Sequence, residues 1–424
     1  MISSLVRKSF QSELFTGYST KFVAGILGPK LGQVNRQIDY RQIRRSMKEE
    51  VLDEIFSETD LKSNKRSFDK TDDVKNGKTL EETNKKPRFQ KKKKFAILLS
   101  YSGQNYLGMQ FNHGFKTVEG ELFQAFMKLE IMDDESFKSP QTVHFQRAAR
   151  TDKGVSAVRQ VISLKMRTPD EDLVNQLNSL LPNCIKVFAM RKVTGGFNSK
   201  IACDSRSYSY VMPTFAFTSK EVAPTHEYRV TSKILDEVNS LLSVFKGTRN
   251  YHNFTSGRPA QDPSCKRYIT QFSCGDPFMI KEVEFVKITI KGQSFMLHQI
   301  RKMIGLTISV MRGFVPREIL DKAFKMERVN VPTAPSLNLL LEEPHYDSYN
   351  RRYGGDGIHE TLDWSSFDKD IETFCGDFIL PIIYNGEMDI QNGSMITWLL
   401  TCLPIHTYEF PPDSSEKVTD STLE

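Results

Sequence analysis

At residue 95 the chain changes character, and the segments beyond that point restrict the fold more than any other feature. Residues 39–94 are dense in mixed charge and poor in apolar side chains, the pattern of a disordered linker. Then FAILLSY, residues 95–101, reads as a strand. Residues 117–129 carry Val118, Leu122, Phe126 and Leu129 at helical spacing, with Thr117 as the N-cap. An extended segment at 142–145 leads into a polar loop, and VISLKM at 161–166 is apolar on alternate positions, like a half-buried strand. Pro169 opens a helix through Leu181, capped by Thr168, and 184–193 forms another strand. Strand, helix, strand, strand, helix, strand predicts an α+β layer: an antiparallel or mixed sheet with helices on one face.

GGFNSK, residues 195–200, reads as a flexible crossing to a second half. In SRSYSYVMPTF, residues 205–215, alternation puts Arg206, Tyr208 and Tyr210 on one face of a strand and serines on the other. A cation with two aromatics suits a nucleobase and its phosphates; a core face that tolerates tyrosine is the plainer alternative. An amphipathic helix at 232–245 ends in KGTRNYHNFTSG, and strands follow at 268–274 and 283–291. Residues 292–313 give Phe295, Ile300, Met303, Ile304 and Ile308 a buried helical face, with Arg301 among them and in need of a partner if buried. The expected organisation is 1–94 disordered and basic, 95–200 one half, 201–346 the other, 347–412 a helical extension and 413–424 a disordered tail. Within the extension, 396–403 reads as a packed helix. The two halves, joined edge to edge, would make one long curved sheet with a central cleft.

The chemistry concentrates in residues 146–160, QRAARTDKGVSAVRQ. A loop between strands holds a side chain in place while leaving it open to a ligand. Here it carries one carboxylate, Asp152, between Arg150 and Lys153. Those cations favour the charged form, so Asp152 is expected ionised at neutral pH, able to act as nucleophile or base or to hold an arginine. Gly154 lets the backbone turn. A surface turn with a solvated ion pair is the competing reading. Composition narrows the rest. The 424 residues carry net charge +6 and pI ≈ 8.8, a modest excess that barely favours a polyanionic partner. No apolar run is long enough to span a bilayer. The six cysteines are scattered without a Cys-x-x-Cys pair, and the eight histidines lack metal-ligand spacing, which argues for a reducing compartment and against a zinc ribbon. No Walker loop or dinucleotide fingerprint is present. Residues 1–38 are basic with Glu13 the sole acid, either a mitochondrial transit peptide or an ordinary N-terminus. KKPRFQKKKK at 85–94 holds seven cations and no acid, and reads as a nuclear localisation signal, an RNA-contacting arm, or both.

The run Arg150-Thr151-Asp152-Lys153-Gly154-Val155 resembles the central motif of the tRNA pseudouridine synthase A (TruA) family, and its Ser156-Ala157 continuation resembles the eukaryotic pseudouridylate synthase 1 branch. Ala149 and Ser156 stand where bacterial members have Gly and His. Arg206-x-Tyr208-x-Tyr210 resembles the second motif, residues 292–313 the third, and 331–346 the closing strand, with Ser336 for the customary Gly. Residues 246–257 resemble a Gly-x-x-x-Phe-x-x-Phe segment, with Tyr251 and Phe254 in the aromatic places. The resemblance implies an isomerase that turns uridine into pseudouridine in tRNA, with messenger and other RNAs as further substrates, and no cofactor. Asp152, Tyr208 and Arg301 would be catalytic, Arg301 pairing with Asp152. Arg150 would fill the space of the flipped nucleotide. Lys153, Tyr106, Gln110, Arg206, Tyr251 and Phe254 would contact RNA. No metal is expected, although zinc is associated with some eukaryotic members. A monomer is favoured over the bacterial homodimer, with no membrane partner, in nucleus and/or mitochondrion. Alternatives are a non-catalytic RNA chaperone on the same fold and a protein-interaction module built on the C-terminal helices.

Overall fold

The computed structural model describes residues 92–169, 171–389 and 395–409. The transit-peptide reading, most of the basic run and the C-terminal tail lie outside the described residues. Three lysines of that run do not, Lys92 to Lys94, and β1, Lys93–Tyr101, starts earlier than expected. Lys94 is buried and its Nζ donates to the His144 carbonyl at 2.6 Å. Burial, helped by Lys165, pulls that ammonium down to about 8. From Phe95 on, β1 is buried along its whole length, on both faces.

One mixed, unclosed sheet holds the strands together. They are β2, Gln146–Arg147; β3, Ser156–Met166; β4, Ile185–Val193; β5, Ser205–Pro213; β6, Gly247–Asn250; β7, Lys266–Cys274; β8, Phe278–Ile280; β9, Val283–Gly292; and β10, Leu339–His345. The order β4-β1-β3-β10-β5-β9-β7-β6 has β2 beside β3 and β8 beside β9. β10 is the joint. It runs parallel to β3, with Leu340 opposite Ser156, and antiparallel to β5, with Leu341 opposite Tyr208. The strand that follows the Asp152 loop and the strand that carries Tyr208 are thus each one strand away from the same ladder.

Helix α1, Val118–Lys128, starts where the sequence says, with Thr117 Oγ1 accepting from Gly120 N–H. It sets Phe123 edge-on to Phe145, ring centroids 4.9 Å apart. Helix α2, Leu173–Leu180, begins later than expected, after Asp172, and lies along β4. Helix α3, Ser232–Ser243, covers β7, and α4, Gln299–Met311, buries Ile300, Met303, Ile304 and Ile308. The expected extended segment at 142–145 is instead a 3-10 turn, Pro140–Val143, followed by left-handed His144, because Pro140 opens a turn and not a strand. The crossing at 195–200 is tied down: Phe197 packs edge-on to Tyr349 at 4.8 Å.

Helices on one face alone would leave half of β1 wet. The extension supplies the second cover, which the sequence does not announce. Helix α5, Asp368–Phe378, packs against β1, β3 and β4, with Asp368 bonded to Arg159 at 2.8 Å and Phe374 against Phe188. Burying β3 on both faces is why its sequence reads Val161 to Met166 with few exposed positions. Helix α6, Leu380–Met388, follows at once, and Met395–Thr397 with the π-turn Trp398–Cys402 buries Trp398 and Leu399. No described helix is long and apolar enough to cross a membrane.

Candidate active site

The loop between β2 and β3 is fixed from several sides before any ligand arrives. Gln160, fully buried one strand-length beyond it, donates from Nε2 to the Ala149 carbonyl at 2.8 Å and accepts from Ala149 N–H at 3.2 Å. Tyr101 Oη and Thr151 Oγ1 lie 2.7 Å apart, both buried. Arg206 donates to the Ala148 carbonyl twice, from Nε at 2.9 Å and Nη2 at 2.8 Å. Gly154 sits at φ 79, left-handed backbone that suits glycine. Gly108 at φ 115 lets its neighbouring loop lie on the motif: a Cβ there would meet the Thr151 carbonyl oxygen at 2.7 Å. Asp152 stands between these anchors with its side chain 29% exposed.

A cleft of ≈ 660 Å³ opens over the loop. Its lining brings Asp152 and Tyr208 together with Arg147, Arg150, Lys200, Arg206 and Arg267, and Asp152 is the one carboxylate among them. An adjoining recess shares Asp152, Arg150 and His298 and adds Gln110, Lys153 and Arg301. Tyr208 is only 8% exposed and meets Phe295 edge-on at 5.3 Å. Burial, opposed by Arg206, pushes its phenol up to about 12, so it keeps its proton at neutral pH. Arg301 does not form the expected ion pair with Asp152. Its Nε donates to the Ala334 carbonyl at 2.7 Å, and the basic side chain within 4.0 Å of Asp152 is His298, Nε2 to Oδ2 3.9 Å. Burial lowers the Arg301 guanidinium, against the pull of Tyr210 and Asp152.

The family profile described as tRNA pseudouridine synthase matches residues 242–347. The pseudouridylate synthase 1 homolog of Mus musculus is 44% identical over 339 residues, 79% of this chain and 78% of the relative. The homolog of Homo sapiens is 45% identical over 317 residues, 74% and 73%. The tRNA pseudouridine synthase 1 of Yarrowia lipolytica is 34% identical over 380 residues, 70% and 72%. The chain belongs to the tRNA pseudouridine synthase family. It is an isomerase that forms pseudouridine in tRNA.

Of the residues the sequence singles out, the enzyme brings Asp152, Arg150, Lys153, Gln110, Tyr208 and Arg301 to one continuous opening. Arg150, Lys153 and Gln110 line it toward solvent. Arg206 lines the cleft, yet its donors are committed to the carbonyls of Ala148, Lys200 and Gln293, so it ties β5 to the loop and has little left for a phosphate. Tyr106 is buried behind the site, its hydroxyl 3.6 Å from Cys184 Sγ. Tyr251 and Phe254 are fully buried, edge-on to each other and packed with Phe324, so they offer RNA no surface. Aromatics in a loop look available until Phe324, distant in sequence, covers them. Sequence reasoning missed Tyr101, Gln160 and His298. It also missed the buried ion pair of Glu119 on α1 with Arg147 on β2; burial pushes that carboxyl up to about 7 against the pull of Arg147. Among the described residues no cluster of His, Cys, Asp or Glu has the makings of a metal site.

Proposed function

We propose that Asp152 is the group that starts the isomerisation. The net reaction breaks the bond between the sugar's C1′ and N1 of uracil, makes one from C1′ to C5, removes the proton on C5 and leaves one on N1. Electrons balance without an external oxidant or reductant. What it demands is a carboxylate beside the ribose, an aromatic platform for the loose base, and cations for the phosphates. The observation that carries this reading is the lone carboxylate of Asp152 in a cleft it shares with Tyr208 and several guanidinium groups. Asp152 attacks the ribose or the base, or assists elimination. Arg301 supports it electrostatically from the adjoining recess, and Arg150 fills the gap left by the everted nucleotide. Tyr208 stacks on uracil after the Phe295 ring yields. As a phenol and not a phenolate, it suits relay of the C5 proton through its hydroxyl.

The RNA would lie in this basic cleft at the join of two α+β halves, held through phosphates and shape. Messenger RNA joins tRNA as a proposed substrate class. A monomer is the proposed state, with a homodimer as the alternative. The basic segments at 1–38 and 85–94 direct the enzyme to mitochondrion and nucleus; a fluorescent fusion that stays in the cytosol with both segments present would oppose that. The activity is tested by mapping pseudouridines in RNA from cells lacking the protein. Wild-type chain should restore them and Asp152→Ala should restore none. Restoration by the variant would leave a non-catalytic RNA chaperone as the better reading.

A further inference from the structure

His298 is the basic group nearest the Asp152 carboxylate, and the chain goes to some length to keep it there. Its Nε2 lies 3.9 Å from Asp152 Oδ2, at the junction of the cleft and the recess. Its backbone sits at φ 61, a left-handed conformation that few non-glycine residues adopt and in which Asn, Asp and His are the most frequent. The bend is pinned on both flanks. The side chain of fully buried Gln299 accepts from Met296 N–H at 2.9 Å, and Thr255 Oγ1 donates to the Leu297 carbonyl at 3.0 Å. Helix α4 then begins at Gln299, with Lys302 N–H bonded to the His298 carbonyl at 2.9 Å. A side chain whose backbone is pinned this firmly beside a reacting group points to a task.

We propose that His298 is a positioning residue for Asp152: its neutral imidazole steadies the carboxylate toward the bound nucleotide, and its protonated form clamps the carboxylate and slows the reaction. The inference rests on the role given to Asp152 above. At 3.9 Å the link is electrostatic, and a closure of about 1 Å makes it a hydrogen bond from Nε2–H. The other charged groups lining the cleft and the recess are cations, Arg147, Arg150, Lys153, Lys200, Arg206, Arg267 and Arg301, and Lys302 on its own helix also acts on the imidazole. Burial first, then Arg301 and Lys302, hold the imidazole below its ordinary 6.5, while Asp152 pulls the other way. It is therefore neutral at pH 7 and gains its charge on acidification. Once charged, it forms a full ion pair that stabilises the resting carboxylate and makes it a poorer nucleophile or base.

The test is single-turnover pseudouridine formation in an unmodified tRNA transcript from about pH 5 to about pH 8.5, with tRNA affinity measured alongside. The proteins are wild type, His298→Asn, His298→Gly and Asp152→Ala. Asn and Gly tolerate the left-handed backbone, so at least one variant keeps the fold. Both should lose about tenfold in rate at neutral pH while affinity stays within about twofold. In the wild type the rate should fall on the acid side with an inflection below 6.5, and that inflection should be gone from both variants. A wild-type acid limb in the variants, a wild-type rate, or a loss carried by affinity alone overturns the role of His298. Activity in Asp152→Ala overturns the assignment of Asp152 itself, which the other arms leave intact.

Discussion

Thr151 and Tyr101 show how much of the site rests on side chains that hold the carboxylate's loop in place. Their hydroxyls are 2.7 Å apart, Tyr101 fully buried and Thr151 nearly so, and deleting the phenol hydroxyl takes from Thr151 its side-chain partner. Tyr101→Phe should cost about 1–3 kcal/mol in urea unfolding and lower the rate by letting the loop shift. Tyr208 asks a different question. Tyr208→Phe keeps the ring and removes the hydroxyl. It should lose about 10²-fold in single-turnover rate while tRNA binding is retained; an unchanged rate would deny the hydroxyl a part in proton relay. The sequence itself offers Asp152, Arg150 and Tyr208, because a charged string between strands and an alternating aromatic face are local signals. It cannot offer His298, Gln160 or Tyr101, whose roles exist only once distant segments meet. It overvalues Arg206, Tyr251 and Phe254, since neither the carbonyls that occupy Arg206 nor the rings that bury the two aromatics are neighbours in sequence.

Elements legible from sequence are those whose start is written locally. Thr117 caps α1 and Thr231 caps α3, each accepting from an N–H three residues on. The start of α2 is not so written, because Pro169 is a turn residue as readily as a helix opener. The loop at 103–110 holds the motif by close backbone approach, and Gly108→Ala tests that. Its added carbon meets the Thr151 carbonyl and its φ of 115 is strained for any side chain. It should destabilise by about 1–3 kcal/mol and depress activity more than distant changes of equal cost. α5 is the element whose role the sequence hides: an extension helix that completes the burial of β1 and β3. Phe374→Ala should cost about 3–5 kcal/mol by thermal or urea unfolding, as a core residue would.

At the scale of the molecule, the extension is joined to the sheet through buried polar contacts as well as rings. Glu387 on α6 is fully buried, accepting from Asn338 Nδ2 and Met395 N–H at 2.9 and 2.8 Å. Burial pushes its carboxyl from 4.5 up to about 7. A raised folded value means its stabilisation is complete below 4.5 and is lost as pH rises through about 7. Stability relative to Glu387→Gln should therefore fall across that window, by on the order of 3 kcal/mol, in urea titrations at stepped pH. The sheet order gives this arrangement its functional sense. β10 lies between β3 and β5, so two motifs far apart in sequence face one cleft with a carboxylate at its centre. The direct test is conversion of uridine in a tRNA transcript by Asp152→Asn, an isosteric change that removes the charge, with binding followed in parallel. Binding near wild type with no pseudouridine formed is the expected result. Pseudouridine formed at the wild-type rate would contradict the central role of that carboxylate.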